Sequence, residues 1–200
     1  AWVPDSFCGQ AHTLPMLFSG CGIKYYVFNR GAPEGKRVFW WESPDGSKML
    51  AYKVPQHYNV KINENLKNVA KDWTDKSGYD QVMVLYGEGD HGGGPREPDV
   101  KAVRHFKNQG DFPTIKYTTP ENYFAELEKA NKTWPTFKGE MGLDFKPGTL
   151  DGSFRGSYTS QARTKKANRD MENLLITAEK FATIGSMLQR KPLFPRVDFR

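Results

Sequence analysis

Two carboxylates and an arginine, each beside a turn or loop, are the first candidates for chemistry in this chain. Asp5 follows a proline in Trp2-Val3-Pro4-Asp5-Ser6-Phe7, between an apolar start and a helix. Read alone, an aspartate in such a place is either a helix N-cap or a nucleophile. Asp90 lies in Tyr86-Gly87-Glu88-Gly89-Asp90-His91-Gly92-Gly93-Gly94-Pro95, directly after an apolar run. In parallel α/β folds ligands bind just beyond the C-terminal strand ends, and glycines let the backbone approach them closely. A phosphate-cradling loop is excluded because no Gly-Lys-Ser/Thr follows; a flexible loop without a ligand is the alternative. Arg30 ends the strand pattern Tyr25–Asn29. If that strand runs parallel to the one before Asp5, a guanidinium there would orient the carboxylate and keep it ionised. A plain surface arginine is the alternative.

Several ordered segments resemble the catalytic region of glycoside hydrolase family 38, the retaining α-mannosidases. They are Trp2-x-Pro4-Asp5-Ser6-Phe7 followed by Leu14-Pro15, the glycine-rich run 86–95, and Gly156-Ser157-Tyr158-Thr159-Ser160-Gln161-Ala162 continuing to Asn168-Arg169. Two departures are visible: Cys8 stands where the family usually has glycine, and His91 replaces a glycine. The resemblance implies that Asp5 is both nucleophile and zinc ligand, with the other zinc ligands outside residues 1–200. It also implies Asp90 as an acceptor for a sugar hydroxyl and Arg30 as the partner of the nucleophile. A retaining glycosidase needs a second carboxyl about 5–5.5 Å from the first. Asp151 is the candidate acid and Asp144 the runner-up; either would otherwise be a turn aspartate. Trp40, Trp41 and Tyr58 suit a sugar-stacking wall, with Trp41 the expected contact. Strand alternation sends one of the two tryptophans to the core instead. The implied partners are a mannose-containing oligosaccharide and the remainder of a longer chain. A non-catalytic carbohydrate-binding segment is the second expectation, and a homo-oligomer is open.

The elements that must position these residues are legible as periodicity. Leu14–Cys21 reads as a short helix, ended by Gly22, and Ile23–Asn29 as a strand. Val38–Glu42 and Met49–Lys53 read as paired strands around Pro44-Asp45-Gly46-Ser47. Ile62, Leu66, Val69 and Trp73 recur at helical spacing, giving an amphipathic helix over 61–76. Gln81–Tyr86 reads as a buried parallel strand, Val100, Val103 and Phe106 as a helix, and Thr114–Tyr117 as a strand. Thr119-Pro120-Glu121 is a helix start. Residues 131–156 read as irregular. A long helix follows, with Met171, Leu174, Leu175, Ala178, Phe181, Ala182 and Met187 on a broad stripe, ended by Pro192 and Pro195.

This alternation is an α/β pattern with too few units to close a barrel by itself, so an open sheet or a slice of something larger is expected. The family resemblance makes it part of a parallel (β/α) barrel-like catalytic domain, over 1–155, and the start of a helical-bundle domain, over 156–200. The net charge of +6 is concentrated beyond Ser160. A basic helix there is consistent with a solvated face, and no nucleic-acid motif accompanies it. No stretch approaches the roughly 20 apolar residues of a membrane span. Cys8 and Cys21 make no disulfide framework and lack metal-site spacing; free thiols or a single bridge remain.

Overall fold

A computed structural model describes residues 1–3, 9–89, 94–107, 109–130, 132–142 and 159–191. The chain divides into two compact units, Ala1–Arg155 and Gly156–Arg200.

The first unit is built on a five-stranded sheet in the order β1-β2-β4-β3-β5. Strands β1 (Trp2–Val3), β2 (Tyr25–Phe28) and β4 (Lys48–Lys53) run parallel, with Val3 opposite Phe28 and Phe28 opposite Lys53. Strand β3 (Val38–Glu42) is antiparallel to β4, and β5 (Thr136–Lys138) runs parallel to β3. The fold class is α/β as expected, but the sheet is mixed. The hairpin at 43–47 makes it so. Asp45 accepts hydrogen bonds from the backbone N–H and the hydroxyl of Ser47, at 3.0 and 2.8 Å, which folds β4 straight back along β3.

Both faces of the sheet are covered, so its strands are apolar nearly throughout. One face carries Val27, Leu50, Tyr52 and Val54, packed on Trp73, Phe124 and Leu127 of α2 (Leu66–Ser77) and α4 (Pro120–Lys129). The other carries Tyr26, Phe28, Phe39, Trp41, Met49 and Ala51, with Leu14 and Phe18 of α1 (Leu14–Gly20) and Met141 against it. Helix α3 (Glu97–Lys107) buries Val103 and Phe106. The start of α4 has the expected cap: Thr119 Oγ1 accepts from the Asn122 N–H at 3.3 Å.

Four expectations are corrected. Gln81–Tyr86 is not a sheet strand: the sheet ends at β1 on one side and β5 on the other, and the run pairs with neither. The run is held by side chains instead. The Tyr52 hydroxyl donates to Met83 O and accepts from Met83 N, both at 2.8 Å, and the Tyr123 hydroxyl and Trp73 Nε1 donate to Gln81 O. A single parallel bridge, Val60 to Tyr86, is all the pairing it has among the described residues. Thr114–Tyr117 likewise forms no strand; with 82–86 and α2 it lines an apolar cavity of about 190 Å3. Helix α2 begins at Leu66 rather than Lys61, since the Asn63 side chain accepts from the Asn65 N–H and offers the backbone a turn. Within the stretch read as irregular, Thr136–Lys138 is β5, tied to β3 by the pair Lys138–Glu42 at 2.6 Å.

The second unit is dominated by α5 (Ala162–Gln189), in which no residue is buried. Pro192 and Pro195 lie outside the described residues.

Candidate active site

Because β1, β2 and β4 are parallel, Val3, Phe28 and Lys53 end side by side, and Asn29 and Val54, which follow the last two, share one sheet edge. That edge is where a parallel sheet offers its ligand site. Asn29 follows β2 there, only 2% exposed, and neither its amide nitrogen nor its carbonyl oxygen has a partner among the described residues. Arg30 comes next, half-buried, with Nη2 3.4 Å from His57 Nε2. A guanidinium can only donate, so Nε2 is the acceptor and the proton of the neutral ring sits on Nδ1. Nδ1 is itself buried and has no hydrogen-bond partner among the described residues. Lys53, 6% exposed, ends β4 at the same edge and donates to Val54 O at 3.3 Å.

Aromatic rings form a wall beside these groups. Tyr58 packs on His57 with ring centroids 4.0 Å apart and meets Trp2 edge to face at 6.3 Å. Gly89, in the glycine-rich run, lies directly under Tyr58: a Cβ on it would collide with the ring. The neck of that loop is closed by the Glu88 N–H, which donates to Gly94 O at 3.2 Å. Gly87, at φ +119°, leaves no room for a side chain against Gly94 and Pro95.

Gln10 ties three distant segments to the same place. Its Nε2 donates to Arg30 O at 2.9 Å and its Oε1 accepts from the Tyr26 hydroxyl at 2.6 Å. Its backbone exchanges two hydrogen bonds with Met141, at 2.8 and 3.0 Å. Gly142 N–H then donates to Gly31 O at 3.0 Å. A Cβ on Gly31 would sit 2.6 Å from Gly142 Cα, so this close approach of the two backbones requires glycine at position 31.

Of the residues expected from the sequence, Arg30 stands at this edge. Trp41 does not. Its ring is 0% exposed in the core, and Nε1 donates to Gly139 O at 2.9 Å, so the stacking role expected of it is corrected. Alternation puts Trp40 on the opposite face, half-buried in a groove with Lys24, Tyr25 and Lys48, away from Arg30. Asp5, Asp90, Asp144, Asp151, Cys8 and His91 lie outside the described residues. Cys21 is an exposed free thiol. Among the described residues no three His, Cys, Asp or Glu side chains come together in a way that could hold a metal ion. His12 Nε2 instead contacts Glu42 O at 2.8 Å, and His105 Nε2 lies 2.9 Å from the Gln109 amide. Asn29, Gln10 and His57 were not singled out by sequence reasoning. The signal available was an uncharged polar residue directly after the apolar strand run 25–28, which marks Asn29 but says nothing of Gln10.

Residues 1–140 match the family model described as Glycosyl hydrolases family 38 N-terminal domain. The chain belongs to glycosyl hydrolase family 38. Its relatives include Alpha-mannosidase 2C1 of Homo sapiens, 30% identical over 207 residues that cover all of this chain and 19% of that protein. The Alpha-mannosidase of Saccharomyces cerevisiae is 29% identical over 208 residues, covering 94% of this chain and 18% of that protein. A similar fold is seen in the crystal structure of an alpha-mannosidase from Enterococcus faecalis V583. It matches with a TM-score of 0.55 at 17% identity, over 72% of this chain and 18% of that one. The chain therefore spans about a fifth of the length of the relatives it matches.

Proposed function

We propose that this chain is part of the catalytic region of a retaining α-mannosidase that removes terminal mannose from glycans. The observation that carries the reading is the polar edge of Asn29, Arg30 and His57 at the ends of parallel strands, in a chain whose family 38 relatives are named α-mannosidases. In this reading Asp5, two residues beyond β1, attacks the anomeric carbon of the mannoside. Asp151, with Asp144 as the alternative, gives its proton to the departing glycosidic oxygen. The same carboxylate then takes a proton from water, whose oxygen displaces Asp5 and restores the original anomeric configuration. Arg30 keeps the Asp5 carboxylate ionised, and Asp90 accepts a hydrogen bond from a sugar hydroxyl. Tyr58 and Trp2 take the stacking role that the buried Trp41 leaves open. Zinc is the cofactor of this reading, with Asp5 one of its ligands. The described residues do not make a metal site by themselves, so the remaining ligands are assigned to other parts of the protein.

The test is Asp5→Asn in the full-length protein, followed by hydrolysis of an aryl α-mannoside and metal quantification. Loss of turnover together with a lowered zinc content is expected. Near-normal turnover with full zinc would remove Asp5 from both roles. Mannoside binding without hydrolysis by the unaltered protein would favour a carbohydrate-binding segment instead.

A further inference from the structure

Arg96 sits outside the edge just described, yet its guanidinium joins two elements that the edge depends on. On one side it grips Asp99 in the first turn of α3: Nε lies 3.1 Å from Oδ2 and Nη2 3.4 Å from Oδ1, and the Arg96 N–H donates to Oδ2 at 3.2 Å. Asp99 is 5% exposed, and α3 is anchored in the core by Val103 and Phe106, so this end of the grip is fixed. On the other side Nη1 reaches Glu88 Oε1 at 2.7 Å. Glu88 precedes Gly89, the residue pressed against the Tyr58 ring, and its own N–H closes the loop neck on Gly94.

Arg96 and Glu88 are both substantially exposed, at 43% and 55% of their side chains. An exposed ion pair of this kind contributes about 1 kcal/mol or less to global stability. What it does instead is local. It ties the neck of a glycine-rich loop to α3, where glycine backbone is free and the neck is otherwise closed by the single hydrogen bond from Glu88 N–H to Gly94 O.

We propose that Arg96 is a positioning residue of the candidate site: by clamping Glu88 to α3 it seats Gly89 beneath Tyr58 and holds the aromatic wall against which the sugar lies. The proposal rests on the mannosidase reading for its ligand, a hexose ring, but not for the clamp itself. Since the wall binds the ring and does not touch the reacting atoms, loosening it weakens binding alike in ground and transition states. KM rises and kcat stays.

The experiment uses the full-length protein with Arg96→Gln, Glu88→Gln, the double variant and Arg96→Lys. It reads steady-state kinetics on an aryl α-mannoside, backbone hydrogen exchange over 87–95, and thermal unfolding. Either single variant should raise KM about fivefold with kcat within about twofold, and the double variant should be no worse than either. Arg96→Lys should recover part of the loss, because an ammonium can still meet Glu88 but cannot fork onto Asp99 as well. Exchange at the Glu88 amide should quicken in both single variants; the unfolding temperature should hold in Glu88→Gln, whereas Arg96→Gln also unpairs Asp99 and lowers it. An unchanged KM would overturn the proposal, as would additive single effects, or kcat and stability falling together. If the unaltered protein does not cleave the mannoside, the mannosidase reading fails and exchange alone decides the clamp. Quicker exchange at Glu88 in both single variants upholds it, and unchanged exchange rejects it.

Discussion

Asn29 holds a primary amide in a buried place. Its two polar atoms are buried without partners among the described residues, a condition that costs about 1–3 kcal/mol wherever it occurs. Asn29→Leu, similar in volume and free of that cost, should therefore raise stability by about 1–2 kcal/mol in urea unfolding. A destabilised variant would mean that an internal water or the rest of the protein satisfies the amide. Gln10→Leu should behave in the opposite way, losing about 1–3 kcal/mol, because Arg30 O and the Tyr26 hydroxyl are left behind. At the proposed acid, Asp151→Ala should slow substrates with poor leaving groups far more than activated aryl mannosides, since only the former need a proton. Equal losses would transfer the role to Asp144. Sequence reading reached Arg30 because an arginine ending a strand pattern is visible as such. It misplaced Trp41 because Trp40-Trp41 alternates between two faces that are both covered, and alternation alone cannot say which face is the ligand's. Gln10 was illegible for another reason: its partners, Arg30 and Met141, are brought to it only by the completed fold.

Among the elements, the segment 81–86 depends most on side chains. Tyr52→Phe would strip both hydrogen bonds from Met83 and should cost about 1–3 kcal/mol, with the loss appearing first as faster exchange over 81–86. Burial pushes the hydroxyls of Tyr52 and Tyr123 well above the ordinary tyrosine range. A raised acid pKa means that the folded state resists deprotonation. The stability these groups contribute is full below about pH 10, where an unfolded tyrosine begins to ionise, and is lost as pH rises toward the folded values. Alkaline unfolding should therefore set in just above pH 10 and be blunted in a Tyr52→Phe, Tyr123→Phe double variant. The hydrogen bond from Arg96 holds the Asp99 carboxyl below the usual range, so its contribution has the opposite sense: present above about pH 4 and lost on further acidification. Helices and the hairpin were legible because their periodicity and caps are local. The 81–86 and 114–117 runs have the composition of strands, but composition cannot tell whether a partner edge is vacant. Strand β5 is only three residues long and has no periodicity to read.

For the whole molecule, the two units differ in how far they satisfy themselves. The first covers both faces of its sheet, whereas α5 leaves Leu174, Leu175, Phe181, Ile184, Met187 and Leu188 more than half exposed. Apolar area is worth about 25 cal/mol per Å2 when withdrawn from water, so such a stripe favours association. Residues 1–200 alone should self-associate in sedimentation velocity and should not hydrolyse an aryl α-mannoside with added zinc. A monomer with zinc-dependent turnover would show a self-contained site within these residues.

The pairing of Gln10 with Met141 has a consequence in time. The two residues lie about 130 positions apart, and β5 joins β3 from a similarly late point in the chain. As the polypeptide emerges from the ribosome, β2 and the β3–β4 hairpin can form on early contacts. The carbonyl of Gly31 must wait for Gly142, and the sheet for its last strand. Long-range closures of this kind are the slow ones, since loop entropy is lost before the contact returns anything. The edge that carries Arg30 is thus assembled last. During synthesis a nascent chain would hold its core strands together before it held anything able to grip a ligand.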